Sequence, residues 1–316
     1  MVEAFPSRLA VMLRQLKVKS SQPPSVSILN NWIAHAETRL GGEAGGGRLG
    51  WLIASSVAVS AVQRALGKDG RQLFLLKGGN LLQHRLDVPA RTTKDIDGLV
   101  RGDIVEFIGI LDEVFLEPWG PFTLSRGSIE VIDVPTRVLK PRRFDVYIKL
   151  RGTTWRRVQF EISPDEAGIG DESESVEPMP LGGFGLPDLD GLVGLALRHQ
   201  IAQKFHAVSD PHNPPEIFND RPRDVVDLVL LKDLVAATGH PASSELGVAA
   251  KAVFDARAED ALALSLEPRY WPPKVVAHRH WADSYLRAAN EVGVTLSLVE
   301  AVAQVNDWIE YLAATE

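Results

Sequence analysis

The stretch LLKGGNLLQHRLDVPARTTKDIDGLV, residues 75–100, decides how this chain is read. It sets Gly78-Gly79 directly after an apolar run and closes on Asp95 and Asp97 with one isoleucine between them. If KDIDGLV is a strand, residues two apart point to one face and sit ~6.6 Å apart along it, so both carboxylates look into one space. Two hard oxygen ligands held in that way suit Mg²⁺ and leave coordination positions for water and substrate phosphates, the arrangement of phosphoryl and nucleotidyl transfer. Gly78-Gly79 lets backbone N–H groups approach phosphate oxygens, and a helix from Asn80 to Arg85 would present its positive N-terminus to them. Spacing alone does not separate this reading from a plain strand–helix turn followed by a solvated strand end.

Working outward, LFLL before Lys77 reads as a short strand, and Trp51 to about Leu66 as a helix of small residues. FDVYIKL at 144–150 and RVQFEIS at 157–163 both alternate, with RGTTW as a hairpin connection. In the second strand Val158, Phe160 and Ile162 take one face, leaving Gln159, Glu161 and Ser163 on the other. Asp145 occupies the same kind of position in the first strand. Either Glu161 or Asp145 can supply a third carboxylate; alternation does not choose between them, and a charge on the wet face of a hairpin is also ordinary. An acidic, Gly-rich run, SPDEAGIGDESESVEPMPLGGFG, reads as a surface loop, and beyond Pro187 the pattern is helical nearly to the end.

Two helical segments carry charge where apolar residues are expected. In ALRHQIAQKFHA, Lys204 shares a stripe with Val193 and Leu197, so it either snorkels out or meets an anion inside the protein. In NDRPRDVVDLVLLKDLV, Pro222 fits a first helical turn, and Asp224 and Asp227 share a face with Leu228, Leu231 and Val235, which points them inward. Acids early in a helix also complement its macrodipole. His199, His206 and His212 have no zinc-ligand spacing.

Composition limits the rest. The 316 residues carry 45% apolar side chains, a net charge of −7 and no cysteine, which excludes disulfides and thiolate metal sites. WLIASSVAVSAV from Trp51 is too short to span a bilayer, so a cytoplasmic protein without a membrane partner is expected. Breakers at SQPPS and GGEAGGG mark residues 1–50 as loosely attached accessory helices. Residues 51–185 then form the sheet-bearing domain and 186–316 a helical C-terminal domain.

Taken in order, GGN, R-x-T-x-D-x-D, an acid on a strand, K-F-H-A and R-P-R-D-x-x-D-L resemble the AbiEii/MenT family of nucleotidyltransferase toxins, within the polymerase-beta-like superfamily. The resemblance covers roughly Leu73 to Leu234. It implies an α+β fold, with a small mixed sheet followed by helices that close over a cleft. It implies Asp95, Asp97 and Glu161 as ligands of Mg²⁺ or Mn²⁺, although the family more often has Asp at the strand position. Gly78, Gly79, Asn80, Lys204 and Arg223 would hold a nucleoside triphosphate, and Asp224 would be required for activity. Thr93 matches a hydroxyl position that is phosphorylated in some members, where added charge beside two carboxylates would repel the triphosphate.

MenT members transfer nucleotides to the 3′ end of tRNA and so block translation, and members of the family are often paired with an antitoxin. A tRNA partner needs a basic surface, and Arg137, Lys140, Arg142, Arg143, Lys149, Arg151, Arg156 and Arg157 crowd the hairpin at 137–157 with Asp145 among them. Two alternatives stay open. One is nucleotidyl transfer to a protein hydroxyl or a small molecule. The other is a metal-dependent glycosyltransferase using Asp95-x-Asp97, which leaves the lysine and R-P-R-D motifs without a task.

Overall fold

A computed structural model describes residues 8–41, 45, 47–85, 95–166, 168–215 and 217–315. In chain order the elements are α1 (Arg8–Arg14), α2 (Val26–Leu40), α3 (Arg48–Val62), β1 (Phe74–Leu76), α4 (Gly78–Arg85), β2 (Asp95–Val100), α5 (Ile104–Val114), β3 (Phe122–Arg126), β4 (Glu130–Val131), β5 (Arg142–Leu150) and β6 (Thr153–Pro164). Then come β7 (Ser173–Val176), β8 (Leu192–Leu195), α6 (Leu197–Val208), α7 (Pro222–Thr238), α8 (Ser243–Ala263), α9 (Ala282–Val292) and α10 (Leu298–Ala313). The strands make one sheet in the order β3-β5-β6-β2-β1-β8-β7, with β4 beside β5. β2 runs parallel to β6 and β1 parallel to β8, while the other pairings are antiparallel, so the sheet is mixed as the α+β reading expects.

Alternation along the strands gives the sheet two covered faces. Ile96, Phe144, Val146 and Phe160 pack beneath α2, α3 and α5, against Leu29, Ile53, Val57, Phe107 and Leu111. On the other side Leu75 and Leu99 meet a second core made by α6 to α10, with Ile201, Phe205, Phe254, Trp281 and Trp308 inside it. Each such aliphatic or aromatic side chain contributes ~1.5–3 kcal/mol on full burial. The central strands are locked by a close approach at Gly98, where a Cβ would stand 1.9 Å from the Phe74 ring. Lys77, Asp95 and Asp97 have the parity of Leu75 and Leu99, which places them on the face toward α6 and α7.

Two stretches fold differently from the expectation. α2, N-capped by Ser25, does not hang loosely: it buries Leu29, Ile33 and Ala36 in the sheet's core, and Asn30 accepts a hydrogen bond from Trp155 Nε1 at 2.9 Å. Leu192–Leu195, in the stretch expected to be helical, is strand β8, so Val193 does not share a helix with Lys204. A four-residue apolar run has no periodicity to separate a buried strand from a helix. No helix among the described residues is long and apolar enough to cross a membrane.

Candidate active site

The cleft is built from the ends of β1 and β2 on one side and from α6 and α7 on the other. β1 ends at Leu76, Lys77 N donates to Asp97 O at 3.0 Å, and the chain turns at Gly78 with φ of +66°. A Cβ at Gly78 would lie 2.4 Å from Asp97 Oδ2, so glycine is what lets the turn sit directly over that carboxylate. α4 follows at once. Asn80 is 2% exposed, and its Nδ2 has no acceptor among the described residues. A buried amide donor in that condition suits an anionic ligand.

β2 and β6 run parallel in a register that pairs Asp97 with Glu161 and Asp95 with Gln159. Glu161 therefore stands next to Asp97, whereas Asp145 lies one strand further out, opposite Gln159, and is ion-paired to Arg157 at 2.7 Å. Register settles what alternation left open: Glu161 is the strand acid beside the pair. It is already engaged, because Arg143, its cross-strand neighbour on β5, donates to Oε1 from Nε at 2.9 Å and also from Nη2.

Burial pushes Asp97 up to about 6, with Asp95 and Glu161 acting in the same direction against Lys77 and Lys204. Carboxylates held out of water, with Lys77 and Lys204 offsetting only part of that cost, fit a divalent cation, with Asp95 and Asp97 as the available oxygen donors. Glu161 joins such a set only by giving up Arg143, and among the described residues no three acids or histidines are already drawn together as a metal cage. Lys77, which the motif reading passed over, completes this side. Its Nζ donates to Ser163 Oγ at 2.7 Å, and burial pulls it below the usual lysine range even though Asp97 and Glu166 pull the other way. Its position two residues after Leu75 was the available signal.

On the facing side, the inward acids and Lys204 meet one another. Lys204 Nζ donates to Asp224 Oδ1 at 2.6 Å and Asp227 Oδ2 at 2.7 Å. Lys204 is 8% and Asp227 6% exposed, so the anion required by a lysine on a buried stripe is supplied by α7. Burial alone would lower the ammonium, but the two carboxylates outweigh it and hold Lys204 above the usual lysine range. Arg223 is exposed on the rim, where Asp220, Arg221, Asp224, Ser284 and Arg287 share with it an open polar cavity of about 320 Å³. Thr93 lies outside the described residues.

Further cations reach the cleft from the hairpin and from α8. Glu166 bridges Arg137 and Arg257, the latter at 2.7 Å, while Arg269 pairs with Asp210 and donates to the ring and carbonyl of His206. Burial, with Arg269 and Arg137 nearby, pushes His206 down to about 2, so it is neutral at any working pH. The basic hairpin is less open than its composition implies. Arg137, Lys140, Arg143 and Arg157 pair with Glu166, Asp133, Glu161 and Asp145 respectively.

The family model "Nucleotidyl transferase AbiEii toxin, Type IV TA system" matches residues 63–310. Among solved structures the chain is similar to MenT4, a nucleotidyltransferase toxin from Mycobacterium tuberculosis H37Rv. The two share 15% sequence identity and a TM-score of 0.50, with 91% of this chain and 89% of that one covered. No curated protein matches the chain in sequence. The family model spans well over half of the chain and takes in both sides of the cleft, and by that match the chain belongs to the AbiEii family of nucleotidyltransferase toxins.

Proposed function

We propose that this chain transfers a nucleoside monophosphate from a nucleoside triphosphate to the 3′ end of tRNA and so blocks translation. The observation that carries the transferase reading is the placement of Asp95 and Asp97, beside Glu161, on a sheet face opposite the Lys204–Asp224–Asp227 group. Mg²⁺ or Mn²⁺ held by Asp95 and Asp97, with Glu161 as a third donor, would supply Lewis-acid neutralisation of the triphosphate.

The chain's own residues do the positioning. The turn at Gly78 and Gly79 brings backbone close to the acids, and Asn80 Nδ2 offers its vacant donor to a phosphate oxygen. Lys204 uses two of an ammonium's three donors on Asp224 and Asp227, so the third serves a phosphate while the two acids fix its aim. Arg223 and Arg221 at the rim offset charge on the departing pyrophosphate. The acceptor hydroxyl attacks the α-phosphate, its proton passes to solvent or a carboxylate of the cluster, and pyrophosphate departs toward the rim.

The tRNA body would lie along the 137–157 hairpin, through Lys149 and Arg151 and through any pairs that open on contact. In this reading residues 51–185 present the acids, 186–316 close over the cleft, and 1–50 brace the back of the sheet. The protein works in the cytoplasm beside an antitoxin partner, and phosphate on Thr93 would silence it by repulsion. The test is incorporation of label from each of four α-labelled nucleoside triphosphates into total tRNA with Mg²⁺, for wild type and Asp95→Ala. Labelled tRNA that disappears in the variant supports the reading. Label on protein or a small molecule instead moves the acceptor to that class.

A further inference from the structure

Residues 218–224 carry different chemistries at their two ends. At one end Phe218 is 60% exposed and Ile217 43% exposed, in a protein whose other phenylalanine rings are mostly buried. The Phe218 ring leans on His212 at 4.9 Å and His280 at 4.6 Å between centroids, and those two imidazoles stack on each other at 4.3 Å. Asn219, 3% exposed, pins the group: its carbonyl accepts from His280 Nε2 and Trp281 Nε1, both at 2.8 Å, and its N–H donates to His212 Nδ1 at 3.2 Å. At the other end Asp224 holds Lys204. The cavity of about 320 Å³ is lined from Asp220 to Asp224 in this stretch and by Ser284 and Arg287, so Arg221, Arg223 and Arg287 stand in its wall. Arg279, also exposed, sits between His278 and His280 in the chain.

A metal is a poor occupant for this cluster. Stacked imidazoles present faces rather than lone pairs to one another, and His212 Nδ1 and His280 Nε2 are both committed to Asn219. An acidic peptide would use the arginines and leave the rings idle. A duplex has no free base face to offer them. An unpaired nucleobase with its phosphates uses both: the ring for stacking and the guanidinium groups for charge. Seven residues reach at most ~25 Å, so a strand end seated at Phe218 is within a few nucleotides of Asp224.

We propose that Phe218, backed by His212 and His280, is a stacking shelf for an unpaired base near the 3′ end of the RNA acceptor, with Arg279 and Arg287 meeting its phosphates. This rests on the reading of RNA as acceptor and adds where its single strand is gripped. The test is steady-state labelling of total tRNA by wild type, Phe218→Ala and Phe218→Trp, with KM measured separately for tRNA and for the triphosphate, alongside thermal melting. Loss of the ring raises KM for tRNA ~10- to 100-fold, leaves KM for the triphosphate and the melting temperature unchanged, and is reversed in Phe218→Trp. A rise in KM for the triphosphate alone assigns the shelf to the incoming nucleotide and overturns the proposal, as does no change in either constant. Wild type that labels protein but no RNA removes the acceptor reading itself, a failure visible before any Phe218 variant is examined.

Discussion

Removing the charge at Asp97 should stabilise the metal-free protein while abolishing its chemistry. The lift of this carboxyl from an ordinary 3.8 to about 6 reflects burial first, then Asp95 and Glu161, and it is net of the attraction to Lys77 and Lys204. The sign follows from linkage. The folded protein binds this proton more tightly than the unfolded chain, so the site's cost is absent below pH ~4, grows as pH rises toward 6, and is fully present above it. The magnitude is ~3 kcal/mol, an upper bound because the side chain keeps an open edge on the cleft. Asp97→Asn mimics the protonated form. In EDTA at pH 8, urea unfolding should find the variant more stable by up to ~3 kcal/mol, and the two proteins should converge near pH 4. Saturating Mg²⁺ should reverse the order: a ligand at a thousand times its Kd adds ~4.1 kcal/mol to wild type, and less to a variant that binds it poorly. A variant less stable than wild type at pH 8 in EDTA, or pH profiles that run parallel from 4 to 6, would show that the fold does not hold the Asp97 carboxyl above its usual range.

Other expectations follow from the same geometry. Lys204→Met takes the ammonium away from buried Asp227 and half-buried Asp224 and should destabilise the protein by up to ~3–5 kcal/mol, read from urea midpoints, whereas Asp224→Asn keeps the Lys204–Asp227 contact and should lose labelling activity with a smaller drop. Gly78→Ala drives a Cβ into Asp97 at a left-handed φ, so activity should fall at least as far as in Asp97→Asn, with circular dichroism retaining the fold. Arg143→Ala frees Glu161 and should lower the Mg²⁺ concentration for half-maximal labelling. Asp145→Ala, on the neighbouring strand, should leave that concentration within about twofold of wild type, a difference of under ~0.5 kcal/mol.

Much of this architecture was legible in the residues. Strand alternation placed Asp95 with Asp97 and buried Val158, Phe160 and Ile162, and helical periodicity turned Asp224 and Asp227 inward. What the one-dimensional pattern lacks is register between strands distant in sequence. The choice of Glu161 over Asp145 depends on β6, not β5, lying beside β2, and no local feature of either strand encodes that. The anion for Lys204 was likewise unreadable, because its partners come from the next helix rather than its own. β8 was hidden by brevity. The Phe218 shelf was invisible for another reason: His280 is far in the chain from His212 and Phe218, and its ring joins theirs only in the folded protein, where Asn219 also binds both imidazoles.

Asn219 also ties distant stretches of the chain together. Its backbone and side-chain amide reach Val208 at the end of α6, Asp210, His212 and the His280–Trp281 segment, so a single residue joins three separate stretches just ahead of the helix that begins at Pro222. A substitution at Asn219 therefore reaches well past its own position: loss of the side-chain amide unfastens the end of α6 and loosens the backbone that holds the His212 ring and the His280–Trp281 segment, and with them the approach to the helix that carries Asp224.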